Sequence, residues 1–245
     1  MARTPAYSLN VGSLLGKSFG IYFKNLLPFV LLAALIFAPW IVLEIMAELS
    51  PSRELLIGST VVNSALNPIL AGAVTFGVIQ RLRGQQVSLG ETITVGLQSF
   101  LRVFLTALVT GLLTGLCFLL LVVPGIIVSI LWYVAIPAAV MEGKNVSEAM
   151  SRSTRLTEGS RWQIFASWLV VGVITAVVGF VVVMVLMATA PHLVDDTTHR
   201  LPAWANIAIG LLLAPLGAVM SATCYFLLRT GKEHADADQI AAVFD

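Results

Sequence analysis

The chain has 245 residues, of which 58% are hydrophobic and only 11% are charged. Soluble domains carry about 25% charged residues, so this composition excludes a water-soluble globular protein and indicates an integral membrane protein. The formal net charge of +1 is uninformative as a total, but the distribution of charge along the chain is informative. We expect no nucleic-acid partner. Cys117 and Cys224 both lie inside apolar segments, which predicts neither a disulfide framework nor a thiolate metal site.

Six apolar segments alternate with polar ones along the chain. A spanning helix needs about 20 mostly apolar residues. The predicted spans are residues 26–46, 55–80, 103–123, 126–141, 164–187 and 204–228. The fourth is short and follows a tight turn at 123–125, so we expect it to be tilted or partly re-entrant. The predicted fold class is all-α, a polytopic integral membrane protein with six transmembrane helices.

An amphipathic helix is predicted before the first, third and fifth spans. The first runs over 8–24, the second starts at Ser88 and the third extends from Asn145 to Gly159. Ser88 with Glu91, and Asn145 with Glu148, have the spacing of a capping box, which predicts the starts of the second and third helices. Helices of this kind suit the membrane interface.

The order of these segments predicts three internal repeats, each an amphipathic helix followed by a membrane hairpin. The units are 8–84, 88–143 and 145–231, which close on Gly84, Gly143 and Gly231. Segments 68–84 and 215–231 share the same spacing from proline to glycine. We interpret 1–232 as a single membrane domain and 233–245 as an acidic, mobile tail.

Prolines and amides stand out inside the apolar segments. Helix kinks are predicted at Pro68, Pro137 and Pro215. The intramembrane polar residues Asn63 and Asn67 are expected to find partners on neighbouring helices.

Carboxylates are expected only near span ends. Glu44 and Glu142 lie close to the ends of spans, where we expect interfacial carboxylates. We find no ionisable group deep in a span, which argues against a proton-coupled pump. A passage for apolar or lipid-like molecules is compatible with the sequence.

Basic residues fall on one side of this topology, apart from Arg53 and Arg200. The positive-inside rule then predicts that both termini and all amphipathic helices lie in the cytoplasm. These cations either set topology alone or form a collar that contacts anionic lipid or a partner protein. The residues of this basic collar are Arg81, Arg83, Arg102, Lys144, Arg152, Arg155 and Arg161.

Motifs for catalysis are missing from the sequence. It contains no Gly-rich phosphate loop, nucleophile elbow or H-E-x-x-H motif, so we expect neither an enzyme nor a cofactor. A weak metal candidate is formed by His192, Asp195, Asp196 and His199. Two imidazoles and two carboxylates without a third histidine favour a solvated loop over a metal site.

One region carries a family resemblance. It comprises Val-Pro-Gly-Ile at 123–126, Pro137, Met-Glu-Gly at 141–143, Ser-Glu-Ala at 147–149, Ser-Arg-Ser at 151–153 and Leu-Thr-Glu-Gly at 156–159. This pattern resembles a bacterial family of six-span membrane proteins that includes the YciC-like proteins and the membrane domain found beside glycerophosphoryl diester phosphodiesterases. The resemblance implies an inner-membrane protein of largely unassigned activity. In the fusions the chemistry belongs to a separate soluble domain, for which we expect no room in this chain.

The sequence leaves more than one function open. The first hypothesis is a non-enzymatic scaffold or accessory factor that contacts membrane lipids or a membrane or cytoplasmic partner protein through the basic collar. The alternative is a permease-like transporter component for a small or lipid-like substrate. In that case Glu148 and Ala149 resemble part of the coupling helix of ATP-driven permeases, with Arg152 and Arg155 against a nucleotide-binding partner. An enzyme acting on lipids is a third option.

Overall fold

The computed structural model describes residues 9–85, 88–189 and 202–241. Over this part of the chain all regular structure is helical, which confirms the predicted all-α fold class. In chain order the helices are α1 Val11–Lys24, α2 Leu26–Ile36, α3 Ala38–Leu49, α4 Arg53–Leu82, α5 Leu89–Gln98, α6 Phe100–Leu120, α7 Val122–Leu131, α8 Ala135–Glu142, α9 Val146–Thr157, α10 Arg161–Thr189 and α11 Ala203–Ala241.

Five helical segments are long and apolar enough to cross a membrane: α4, α6, α7 with α8, α10, and α11 up to Glu233. A sixth is reached if α1 and α2, which meet at a bend of 74°, count as one span. The predicted first span, 26–46, is divided between α2 and α3 at Phe37. The chain is therefore a multi-pass membrane protein with five or six spans. The threefold repeat stays a prediction.

The surface of α6 and α10 is almost entirely apolar. Leu112 is 65% exposed, Leu119 is 83% exposed and Phe180 is 66% exposed. Apolar patches this large do not persist against water in a soluble monomer. In a bilayer the same side chains face hydrocarbon, so the outer faces of these two helices need no protein partner.

The core lies between α4 and α11, which pack along one another at the centre of the bundle. Their buried apolar residues include Leu70, Ala73, Val74, Val78 and Ile79 on α4, and Leu216, Val219, Ala222, Tyr225 and Leu228 on α11. The two segments with equal proline-to-glycine spacing, 68–84 and 215–231, therefore supply both sides of this contact.

Helix ends follow the predicted capping chemistry. Ser88 with Glu91, and Asn145 with Glu148, both form complete capping boxes, so the predicted starts of α5 and α9 are confirmed. Gly84 has φ +77° and Gly143 has φ +64°, the left-handed conformation that glycine adopts most easily after a helix.

The end of the last helix was predicted wrongly. The mobility of the acidic tail, 233–245, stays a prediction. We expected Gly231 to close the sixth span. Instead α11 continues through Gly231 to Ala241. A single glycine inside a helix costs only about 1 kcal/mol relative to alanine, which the contacts made beyond it can offset.

Helix α5 packs against the second half of α4 through small residues. A Cβ on Gly96 would stand 2.9 Å from Ala73 Cβ and 3.1 Å from the Ile69 carbonyl oxygen, and one on Gly72 would stand 3.0 Å from Ser99 Oγ. Leu97 of α5 is 58% exposed. Small residues let helix backbones approach closely inside a membrane, and the large apolar side chains are left for the lipid.

The fourth span is broken between α7 and α8. Ser153 Oγ on α9 donates to the Leu131 carbonyl at 2.7 Å and accepts from the Val134 amide at 3.3 Å. Ser221 Oγ on α11 donates to the Tyr133 carbonyl at 2.7 Å. Irregular backbone is tolerated at membrane depth only where neighbouring groups satisfy it, and two serines from different helices do so here.

The position of this break corrects one predicted kink. Pro137 lies in the first turn of α8, after the break at 132–134, where an amide N–H would have no partner within the helix. Pro137 therefore does not kink a continuous helix. Pro68 and Pro215, in contrast, lie inside the continuous helices α4 and α11, where each removes one backbone hydrogen bond.

Helix α1 packs along α11 and is more than an interfacial segment. The Leu9 amide donates to Ser160 Oγ at 3.4 Å, next to the start of α10. About three turns further on, the Tyr22 hydroxyl donates to the Leu212 carbonyl, within one turn of Pro215. α1 and the residue before it therefore tie the start of α10 to the first third of α11.

Candidate functional site

The bundle has two polar ends, joined by α11. At one end the Ala203 amide donates to Glu48 at 3.2 Å, and at the other Glu233 pairs with Arg152 at 2.9 Å. A helix rising 1.5 Å per residue covers roughly 45 Å between Ala203 and Glu233, more than the ~30 Å hydrocarbon core. We call the end with Arg152 and Glu233 the basic end, and the end with Glu48 the opposite end.

A closed ring of hydrogen bonds joins α8, α9 and α11 at the basic end. Arg152 donates to Glu142 and to Glu233, both at 2.9 Å. Arg229 donates to Glu233 at 3.0 Å and to the Tyr225 hydroxyl at 3.0 Å. Tyr225 in turn donates to Glu142 at 2.7 Å, which completes the ring. We call these five residues the Glu142 network.

Charges in the Glu142 network balance one another. The Glu142 side chain is 13% exposed and the Arg152 side chain is 22% exposed, so both are held largely away from water. Burial alone would lower the pKa of the Arg152 guanidinium, but its hydrogen bonds to Glu142 and Glu233 hold that pKa above its ordinary value. Arg152 therefore stays charged and fixes α9 against α8 and α11.

The structure brings the seven predicted collar residues to the basic end, but divides them into two groups. Arg152 belongs to the Glu142 network, and Lys144 pairs with Glu142 at 3.5 Å. The other five are exposed and have no carboxylate partner among the described residues: Arg81, Arg83, Arg102, Arg155 and Arg161. We call these five the exposed arginines.

A cavity of about 370 Å³ opens beside the Glu142 network. We call it the basic-end cavity. Arg83, Arg229 and Thr230 line it together with Tyr225 and Glu233. Nearby, Lys232 Nζ donates to the Arg155 and Glu158 carbonyls, each at 2.9 Å. A cation at the carboxyl end of α9 stabilises carbonyls that the helix itself leaves without donors.

Glu44 is not the interfacial carboxylate that we expected. It is only 5% exposed and lies between three helices near the opposite end. Ser59 Oγ on α4 donates to it at 2.6 Å, and Asn206 Nδ2 on α11 donates to it at 2.9 Å. A buried carboxylate is tolerated because such donors replace the lost hydration.

The predicted prolines and one of the amides meet at a cavity of about 380 Å³ between α4, α6, α8 and α11. Pro68 and Pro137 line it, and Pro215 follows the lining residue Ala214. We call this the central cavity. Asn67 also lines it, but its partner was predicted wrongly: Asn67 Nδ2 donates to the Asn63 carbonyl and to Asn63 Oδ1, both at 2.8 Å, on the same helix.

Metal binding finds no support in the described part of the chain, where no three His, Cys, Asp or Glu residues are placed to hold an ion. The weak candidate formed by His192, Asp195, Asp196 and His199 lies outside the described residues.

Several residues that complete the Glu142 network and the cluster around Glu44 were not predicted from the sequence. Tyr225, Glu233, Ser59 and Asn206 were not singled out. One local signal existed, because Arg229 and Glu233 have the i,i+4 spacing of a helical ion pair. The others become recognisable only once α4, α8, α9 and α11 are packed together.

Comparison with known proteins places the chain in a family. Residues 95–229, more than half of the chain, match the family model described as the membrane domain of glycerophosphoryl diester phosphodiesterase. No curated protein and no solved structure matches the chain. The matched region runs from the end of α5 to Arg229 and so includes the serine-bridged break and most of the Glu142 network. The chain therefore belongs to the family of membrane domains of glycerophosphoryl diester phosphodiesterases.

Proposed function

We propose that this protein is a non-enzymatic scaffold or accessory domain of the bacterial inner membrane that contacts anionic phospholipid head groups through its basic end. In this proposal the basic end and both termini face the cytoplasm, as the positive-inside rule favours.

The observation that carries the proposal is the division of the basic collar. Arg152 is paired with two carboxylates of the Glu142 network, whereas the exposed arginines have no carboxylate partner among the described residues. A basic residue near an anionic membrane surface contributes about 1 kcal/mol of attraction. Among the exposed arginines, Arg83 is best placed to bind a head group, because it also lines the basic-end cavity beside Arg229 and Thr230. A guanidinium beside a hydroxyl suits a phosphate oxygen.

The non-enzymatic part is supported by the missing catalytic motifs and by the family description, which names a membrane domain. In this proposal the chain contacts the membrane and carries out no phosphodiester chemistry. The permease-like alternative stays a prediction, and its resemblance to a coupling helix gains no support from α9. Ala149, part of the resemblance to a coupling helix, is fully buried, and Glu148 closes the capping box of α9.

The test compares lipid retention by variants of the full-length protein. Arg83→Gln with Arg155→Gln removes two exposed arginines, and Arg53→Gln removes an exposed arginine at the other end of α4 as a matched control. Native mass spectrometry counts the molecules of phosphatidylglycerol and phosphatidylcholine that stay bound. We expect the double variant to lose phosphatidylglycerol about fivefold or more per arginine, in a salt-dependent way, and the control to behave like the wild type. Equal retention by all three proteins would show that these arginines only set topology.

A further inference from the structure

The central cavity lies at the middle of the membrane. Pro68, which lines it, is midway between Arg53 and Leu82, the two ends of α4, and is about 20 Å from each. Since the hydrocarbon core is ~30 Å thick, this level of α4 is near the bilayer midplane. The cavity is partly open, and the lining residues Ser64, Asn67 and Gly217 are exposed, so its opening faces lipid.

Polar atoms in the central cavity lack partners. Asn67 uses its amide nitrogen on Asn63, which leaves its Oδ1 without a donor among the described residues. The hydroxyl of one further lining residue, Thr75, makes no hydrogen bond within the described part of the protein. Polar groups left unpaired in hydrocarbon are costly, so this wall of the cavity favours a ligand that pairs with them.

The unpaired atoms define the ligand's chemistry. Asn67 Oδ1 accepts a hydrogen bond and so calls for a hydroxyl group. The Thr75 hydroxyl can donate to a carbonyl oxygen or exchange hydrogen bonds with a second hydroxyl. The described lining residues include no Lys, Arg, His, Asp or Glu, and a charged head group at this depth would be strongly disfavoured. The ligand is therefore neutral and carries a hydroxyl for Asn67 and an oxygen acceptor, such as an ester carbonyl, for Thr75.

We propose that the central cavity binds the glycerol and ester groups of a diacylglycerol that enters sideways from the bilayer. The volume of about 380 Å³ lies in the range of small-molecule sites and holds about a dozen water-sized groups. That is enough for the glycerol backbone with its ester carbonyls. The acyl chains extend through the open side into the bilayer. This site is separate from the basic end and does not rest on the proposed contact with anionic head groups.

One glycine allows the central cavity to be filled without disturbing the fold. Gly217 on α11 lines the cavity, and a Cβ added there meets no atom within 4 Å. Gly217→Leu therefore places a side chain in the open space of the cavity, and leucine is a better helix former than glycine. Gly172→Leu is the matched control, because Gly172 is a helical glycine of α10 with equally open surroundings and does not line the cavity.

The experiment is photoaffinity labelling of the full-length protein in lipid nanodiscs. The probe is a diacylglycerol with a diazirine close to one ester group, and labelled peptides are located by mass spectrometry. We expect labelling around Asn67 and Gly217 that unlabelled dioleoylglycerol competes away and dioleoylphosphatidylglycerol does not. Gly217→Leu should reduce this competable labelling at least about fivefold, while Gly172→Leu leaves it unchanged.

Stability and labelling outcomes together decide the proposal. Both leucine variants should unfold at or above the detergent concentration that unfolds the wild type, so a lost signal reports the site and not the fold. Asn67→Leu, which keeps the cavity open but removes the unpaired oxygen, should weaken competition by dioleoylglycerol. Uniform labelling along the exposed faces of α6 and α10, competition by the charged lipid, or a cross-link joining two copies through the cavity would each overturn the proposal.

Discussion

The serine bridge across the broken fourth span allows a sharp test of the fold. Ser153→Ala removes the hydroxyl that donates to the Leu131 carbonyl at 2.7 Å and accepts from the Val134 amide at 3.3 Å. Ser153 is fully buried, so water from outside the protein does not take the place of its hydroxyl in the alanine variant. Both backbone groups would then lie unpaired between α7 and α8.

The size of the effect follows from these two contacts. An unpaired buried polar group costs about 1–3 kcal/mol, but hydrogen bonds measured inside membrane proteins average only ~0.6 kcal/mol. The contact to the Leu131 carbonyl is short and strong, whereas the contact from the Val134 amide is long and contributes less. We therefore expect Ser153→Ala to lower the free energy of unfolding by about 1–2 kcal/mol.

The assay is reversible unfolding by SDS in mixed micelles, followed by tryptophan fluorescence. Ser151→Ala is the matched control, since Ser151 is an exposed residue of the same helix α9. This control measures the increase of up to about 0.5 kcal/mol in the free energy of unfolding that alanine gives through its helix propensity alone. Faster hydrogen exchange at residues 131–135 should accompany the loss in Ser153→Ala alone. Equal stability of the two variants would refute the idea that the bridge holds the break.

Three further predictions concern the core, the basic end and the topology. Gly96→Ala should lower the free energy of unfolding by about 1–2 kcal/mol, because its Cβ meets rigid atoms of α4, whereas Gly111→Ala, with open surroundings, should be neutral or stabilising. Tyr225→Phe should lower it by about 1–2 kcal/mol in the same SDS assay, because two hydrogen bonds to charged groups are lost; an unchanged midpoint would contradict this. In a variant without the native cysteines, Ser50→Cys and Ser151→Cys should react with a membrane-impermeant maleimide from opposite sides, and labelling from the same side would contradict the arrangement of the two ends.

Local chemistry was predictable wherever a short segment decides its own structure. The capping boxes of α5 and α9 follow from side chains three residues apart that satisfy the free amides of one helix turn. Gly84 and Gly143 end their helices because the left-handed conformation costs glycine little. Gly231 shows the limit of this reasoning, since contacts elsewhere carry α11 past it to Ala241.

Partners across helices were not predictable. The sequence indicated that Asn63 and Asn67 need partners, yet gave no means of choosing between a neighbouring helix and the next turn of the same one. It grouped seven cations by their side of the membrane, but could not separate Arg152, which is bound by two carboxylates, from Arg83, which has no carboxylate partner in the described part of the chain.

The sequence by itself determined the class of this protein, its helical content, the location of most spans and the gathering of seven of its cations at one end. These properties depend on hydropathy and on interactions within a few residues, which are present in the unfolded chain. Only the tertiary structure decided which polar groups are paired. It placed Glu44 between α4 and α11, closed the ring from Glu142 through Tyr225, and left a cavity where the prolines meet. Those outcomes depend on contacts between residues far apart in the chain, whose geometry is set by helix packing as a whole.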